Sequence, residues 1–432
     1  MKVLFTISPW AGHFYPMVPL GWALQAAGHE VRVMCTPSSA DWVRGAGLVP
    51  APILDDHDNP LFWARLFHQQ RVIRGVARDN GLPLLHPVTG ERMASPDEFD
   101  WPSYKRKYEN EWGQAWLRKM ERVIIYTTTF APDLVVHDMM SAEGPFTAVI
   151  HRLPSVLHLW GPVGTAETDP RVDIVPEYNN GILRTLGIKG KGRELITHVI
   201  DPCPASIAPP TTAERLPMRY VPYNGPGEAP VWVYEKPEKR RICVVWGHTL
   251  SRFGPEAFLV SMVLEALADL DAEVVVAINP KDREYVGELP ANARILEQFP
   301  INMLLPTCDA VVHHGGAGSV MSAVVAGVPQ LAIPFEEEQH ANGQRVAAAG
   351  AGIHMLGKEA TVERIREHVD ALLGDESYRR GAEKLAAEVA ERPTPAELVP
   401  VLEEIAAAKT PAVTIDWDSI DATGYEHGLI KQ

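Results

Sequence analysis

The chain has 432 residues, 40 Lys plus Arg against 55 Asp plus Glu, a formal net charge of −15 and 46% hydrophobic residues. At roughly 100–200 residues per domain, this length predicts two or three domains with cores of their own, and the ordinary apolar fraction excludes wholesale disorder. The acidic excess excludes nucleic-acid and anionic-membrane partners, which need a basic field.

The first run, residues 2–7 (KVLFTI), is apolar without a helical period, which suits a buried parallel strand. It is too short for a signal peptide, which needs about 7–15 apolar residues, and no run reaches the roughly 20 of a membrane span. Cys35, Cys203, Cys243 and Cys308 form neither a CxxC pair nor a metal-ligand spacing, so no disulfide framework is expected. Together these features predict a soluble, cytoplasmic protein.

After the first strand come the loop SPWAGHFYP, a helix over 17–27 with Gly28 as its stop, and a strand over 30–35. Strand, helix and strand within about 35 residues form a βαβ unit and predict a parallel sheet. Residues 132–138 (PDLVVHD) and 154–159 (PSVLHL) read as further buried strands.

Residues 55–125 interrupt this rhythm as an aromatic-rich insertion. Tyr104, Tyr108, Trp112 and Trp116 recur every four residues and would line one helix face. The segment reads either as helical packing or as the wall of a pocket for a large apolar ligand, to which the region 160–190 would also contribute.

Residues 216–240, dense in Pro, Gly and charge, read as an ordered interdomain linker. A second series then predicts strands at 242–246, 272–278, 310–313 and 330–333 and a closing helix at 396–408, with a polar tail over 410–432. The expected fold is α/β: two doubly wound Rossmann-like domains, 1–215 and 241–409, facing across a cleft. Ligands in such sheets bind beyond the carboxyl ends of the strands.

The stretch AVVHHGGAGS, residues 310–319, runs a strand into a glycine-rich turn that opens a helix. Gly315, Gly316 and Gly318 allow backbone N–H groups and the positive helix end to approach an anion; Ser319, His313 and His314 add donors. It reads as a phosphate or diphosphate site, or simply as a tight strand-to-helix turn. The acidic run Glu336–Glu338 follows about 20 residues later, where an NAD-binding acid would stand. The G-x-G-x-x-G pattern is absent, so an oxidoreductase is a secondary alternative.

Glu338 and Gln339 lie just past a strand and offer acceptors and donors for adjacent sugar hydroxyls. In the first half, His13 follows one strand and Asp138 ends another. A carboxylate that holds an imidazole in one tautomer makes it a usable general base. The D-x-D pairs Asp56–Asp58 and Asp416–Asp418 read as solvated loops, and no metal site is expected.

GHFYPMVPLGWALQAAGHEV resembles the opening of the GT-B glycosyltransferases that decorate natural products, and LLPTCDAVVHHGGAGSVMSAVVAGVPQLAIPFEEEQHANGQRVAAAGAG looks like their donor-binding signature. MRYVPYNGPGEAPVW and RRICVVWG look most like the macrolide-type branch, which moves deoxysugars from TDP donors.

The resemblance implies a GT-B fold and an inverting, metal-independent transfer from a TDP-sugar to a hydroxyl of an apolar, polyketide-like aglycone. No cofactor beyond the nucleotide sugar is implied. Some members of the branch need a cytochrome-P450-like activator protein, and the oligomeric state stays open, a homodimer included. By position, His13 matches the catalytic base and Asp138 its supporting acid. His314, Gly316, Gly318 and Ser319 match the diphosphate site; Glu338 and Gln339 match the acid–Gln pair that grips the sugar. Gly247, Thr249 and Arg252 fall in the loop that meets the nucleotide. Phe299 lies where the nucleobase is lined, and Gln298 stands where the plant relatives carry a base-stacking Trp. An epimerase or hydrolase of the same fold is the main rival reading.

Overall fold

The computed structural model describes residues 1–55, 60–175, 192–235, 237–247, 253 and 255–410. Two all-parallel sheets organise it. The first joins β1 (Lys2–Thr6), β2 (Glu30–Met34), β3 (Pro50–Ala51), β4 (Leu134–His137), β5 (Ser155–His158), β6 (His198–Asp201) and β7 (Glu214–Pro217) in the order β3-β2-β1-β4-β5-β6-β7. The second joins β8 (Arg240–Val245), β9 (Ala272–Ile278), β10 (Ala293–Glu297), β11 (Ala310–His313), β12 (Gln330–Ala332) and β13 (Gly352–His354) in the order β10-β9-β8-β11-β12-β13.

Every residue of β4 and β11 is buried, as strands covered on both faces require. Each sheet changes direction at its first strand: β1 lies between β2 and β4, and β8 between β9 and β11. At such switch points the loops past the carboxyl ends part and leave a crevice. The candidate loops follow β1, β4 and β5 in one sheet and β8, β11 and β12 in the other.

Two boundaries differ from the sequence expectation. The strand β7 continues to Pro217, so the first domain runs past residue 215. The closing helix, Pro395–Ala408, lies within the expected second domain but buries Leu398, Val399 and Leu402 among Leu20, Leu24 and Val3 of the first. Its amphipathic pattern shows that it has an apolar face; the pattern does not say which sheet that face covers. His29 Nε2 and Glu403 meet at 2.9 Å on the same seam.

The insertion 55–125 is shared between the two domains. Helices α1 (Ala11–Phe14), α2 (Val18–Ala26) and α3 (Ala40–Gly45) precede α4 (Pro60–Ile73) and the 30-residue α5 (Trp101–Phe130). Trp101, Tyr104 and Trp112 gather around Phe62 of α4. Trp116 instead packs edge-on against Phe146 of α6 (Glu143–His151). A four-residue repeat drifts about 40° per step around a helix, so one stripe meets two partners.

Between α4 and α5 the chain crosses to the second domain. There Leu85 joins its apolar core, Asn80 Nδ2 donates to the Phe335 carbonyl, and Lys358 N donates to the Asn80 carbonyl at 3.0 Å. The linker is ordered as expected: Tyr223 packs on Tyr15 and Trp22, while Asn224 reaches Ser322 and the Asn302 amide.

Candidate active site

In the first domain, β1 pairs with β4 so that Thr6 stands beside His137. The residues just past the two strands are therefore neighbours. Asp138 is fully buried, and its carboxylate accepts four hydrogen bonds. Oδ2 takes the Ser8 amide at 2.6 Å and the Ser8 hydroxyl at 2.9 Å; Oδ1 takes the amides of Met140 at 2.7 Å and Ser141 at 2.9 Å.

The Ser8 oxygen lies 2.8 Å from His13 Nδ1. Because the Ser8 proton points at the carboxylate, its oxygen accepts from Nδ1–H. That tautomer leaves Nε2 with a free lone pair. Asp138 and His13 are thus linked through the Ser8 hydroxyl.

Burial pushes Asp138 up to about 6 despite its four donors. Burial also holds His13 down to about 3, so its imidazole is neutral across the ordinary pH range. His137 turns away, its Nδ1 hydrogen-bonded to the Asp138 carbonyl.

In the second domain, β11 ends at His313. Its Nδ1 accepts the Gly315 amide at 2.9 Å, so Nε2 carries the proton and donates to Gln330 Oε1 at 2.8 Å. Both nitrogens are used inside the protein, and His313 does not serve the anion as the sequence suggested. The His314 ring lies against two glycines. A Cβ at Gly247 would stand 2.6 Å from its Cε1, and one at Gly316 would overlap its Nε2.

Gly315 has φ of +86°, and a Cβ there would stand 2.6 Å from the Gln339 carbonyl oxygen. Helix α8 (Ala317–Ala326), which follows α7 (Val260–Leu267) in the chain, opens from this turn. It starts at Gly316 with no side-chain cap, leaving its first amides for a ligand. A Cβ at Gly318 would meet nothing within 4 Å, and Ser319 sits in the same turn.

After β12 the chain enters helix α9 (Glu337–Ala348). Gln339 departs from its expected role. Its Oε1 accepts the amides of Phe335 and Glu336 at 3.2 and 3.3 Å, and its Nε2 donates to Glu336 at 2.8 Å. Position N3 of a capping box turns this amide inward to close its own helix.

The cleft side is left to Glu338, which accepts from Trp160 Nε1–H at 2.8 Å and is raised by burial. Asn342 lies 3.5 Å from Glu338 and donates to the Gly315 carbonyl at 3.0 Å. Glu337 pairs with Arg78 at 3.1 Å.

At the expected nucleobase end, Gln298 is exposed in the left-handed region with φ of +53°. Phe299 is corrected from lining to core: it is buried among Leu296, Ile301, Leu304 and Val311. Gly247, with φ of +67°, follows β8 as expected. Thr249, Arg252, the Asp56–Asp58 and Asp416–Asp418 pairs and residues 411–432 lie outside the described residues. Among the described residues no group of three or more His, Cys, Asp or Glu is placed to hold a metal.

The two half-sites meet at Trp160, which is 3% exposed just past β5. Its indole stacks on the His13 imidazole with centroids 3.7 Å apart and planes 5° from parallel, while its N–H reaches Glu338.

The chain matches the profiles described as "Erythromycin biosynthesis protein CIII-like, C-terminal domain" over residues 261–405 and the corresponding N-terminal domain over 22–77 and 112–247. It is 35% identical over 415 residues to the L-demethylnoviosyl transferase of Streptomyces niveus, covering 95% of this chain and 100% of the relative. It is 31% identical over 426 residues to the 3-alpha-mycarosylerythronolide B desosaminyl transferase of Saccharopolyspora erythraea, covering 95% and 99%. The chain belongs to the GT-B natural-product glycosyltransferases.

Among solved structures, the spinosyn rhamnosyltransferase complexed with thymidine diphosphate superposes with a TM-score of 0.72 at 29% identity, over 93% of this chain and 100% of that one. This glycosyltransferase is therefore a nucleotide-sugar-dependent enzyme with two Rossmann-like domains. Its acidic run 336–338 is no dinucleotide acid: it caps a helix and pairs with the first domain.

Sequence reasoning missed Ser8, Asn342 and the bridging position of Trp160.

Proposed function

We propose that this glycosyltransferase moves a deoxysugar from a TDP-sugar to a hydroxyl of a polyketide-type aglycone, by a single inverting displacement that needs no metal. The observation that carries the reading is the His13–Ser8–Asp138 chain facing the uncapped start of α8 with His314 beside it. The printed activities of the relatives support the donor and acceptor classes.

In this mechanism His13 Nε2 takes the acceptor hydroxyl proton as that oxygen attacks the anomeric carbon from the face opposite the diphosphate. The new carbon–oxygen bond forms as the bond to the phosphate oxygen breaks, which inverts the centre. Charge grows on the leaving diphosphate, where the amides of α8 and the His314 imidazole stabilise it. On the other side, Asp138 offsets the positive charge arriving on His13 through Ser8.

A cytochrome-P450-like activator as partner and a cytoplasmic location belong to the same proposal. All four cysteines are buried and none is joined in a disulfide, which suits a reducing compartment. No helix among the described residues is long and apolar enough to cross a membrane.

The test is to incubate the enzyme with a TDP-sugar and follow TDP release, with and without a polyketide aglycone and with and without a candidate activator. Release that depends on the aglycone, with an inverted glycoside as product, supports the transfer. Release without aglycone indicates a hydrolase, and a changed sugar on intact donor an epimerase.

His314→Ala is expected to weaken calorimetric TDP affinity, and Gly316→Ala to do the same by displacing the ring. Unchanged affinity in both would remove His314 from the diphosphate site.

A further inference from the structure

We infer that Trp160 is a positioning residue that joins the catalytic base of one domain to the sugar-binding acid of the other and sets the aim of Glu338. The inference rests on the proposed roles of His13 and Glu338 and adds the part that links them.

Three contacts of the loop after β5 carry it. The indole face lies on His13 at 3.7 Å, nearly parallel. The indole N–H donates to Glu338 Oε1 at 2.8 Å, across 178 residues of sequence. The next residue, Gly161, packs so closely on the first residue of α8 that a Cβ would stand 2.5 Å from that of Ala317. One short loop thus touches the base, the sugar acid and the diphosphate helix.

The same loop is anchored behind the site. Arg345 of α9 donates from Nη1 to the Pro162 carbonyl, and its Nη2 lies 2.8 and 3.0 Å from the two carboxylate oxygens of Glu167. The two guanidinium nitrogens thus hold the loop at two points, Pro162 and Glu167.

The N–H of Trp160 therefore holds one oxygen of Glu338 and presents the other to the sugar. Without it the carboxylate has, among the described residues, only the long 3.5 Å contact from Asn342 as a side-chain donor, and its rotamer is no longer fixed. The diphosphate contacts do not depend on this bond. The effect should therefore fall on recognition of the sugar and leave the nucleotide alone.

The experiment compares the calorimetric affinities of TDP and of a TDP-deoxysugar for wild type, Trp160→Phe, Glu338→Gln and the double variant. Phenylalanine keeps an aromatic ring at His13 and removes the N–H together with one ring of the indole. Trp160→Phe is expected to leave TDP affinity within about twofold and to weaken the TDP-sugar about 10- to 100-fold, as expected for loss of a hydrogen bond to a charged group.

The double variant should be no worse than Glu338→Gln alone, because both changes remove one coupled element. Wild-type TDP-sugar affinity in Trp160→Phe overturns the inference, as do equal losses for TDP and TDP-sugar, which would mark a merely structural residue. Additive losses overturn the coupling. If Glu338→Gln itself leaves TDP-sugar binding intact, it is the sugar-site reading that fails.

Discussion

His13→Ala is expected to lower turnover about 10²–10⁴-fold, the usual worth of general-base help, while TDP binding stays at the wild-type level. The split follows from geometry. His13 stands on α1 in the first domain, with its Nδ1 tied to Ser8 and its ring on Trp160. The proposed diphosphate groups, His314 and the start of α8, belong to the second.

Removing the imidazole deletes the proposed proton acceptor and leaves the helix end and His314 untouched. Steady-state turnover beside calorimetric TDP affinity checks both halves. Full activity in His13→Ala would remove the residue from the mechanism. A parallel loss of TDP affinity would show instead that the ring supports the closed cleft through Trp160.

How much of this was legible in the sequence depended on how local each signal is. Strands such as AVVH at 310–313 and LVVH at 134–137 announce themselves, because a strand buried on both faces is apolar without alternation. The strands β3 and β13, of two and three residues, have too few positions to show any period. His13 and Asp138 were readable because each stands just past a strand. Ser8 was not, since its importance comes from a partner 130 residues away.

Gln339 shows a different limit. It stands just past a strand, but an amide has no preferred direction until its helix cap is built. Capping Phe335 and Glu336 drew it inward. Phe299 likewise stands in the expected place and turns into the core, because a phenyl ring beside an apolar cluster is better buried than exposed. Trp160 was one aromatic among many; only the meeting of two domains gives its ring and N–H separate partners.

The acid limb of activity is expected near pH 6 and to belong to Asp138. The groups that face His13 are Ser8, which hydrogen-bonds it, Trp160, which stacks on it, and beyond them Asp138 and Glu338. With its own titration pushed down to about 3, His13 is neutral throughout the working range, so its protonation does not end activity there.

Asp138, raised to about 6 by burial, is charged above that pH and neutral below it. When it gains a proton the imidazolium formed during transfer loses its counter-charge, so kcat/KM should fall as pH drops through about 6.

Stability moves the other way. A carboxyl whose titration is raised in the folded chain binds more protons there than when unfolded, so this group favours the folded state as pH falls through about 6 towards its ordinary 3.8. A lowered rate at pH 5 with an undiminished contribution to Tm is therefore titration of the relay and not unfolding. Glu336, raised to about 7 by burial and by Glu338, is the competing source of a limb.

Ser8→Ala separates the two. It cuts the side-chain path that the described residues show between Asp138 and His13 and should lower kcat about 10- to 100-fold, as expected for a lost hydrogen bond to a charged partner. If Asp138 sets the limb, the residual rate of Ser8→Ala becomes flat between pH 5 and 8. A limb that persists near 7 in that variant assigns the titration to Glu336 and removes the relay from the pH dependence.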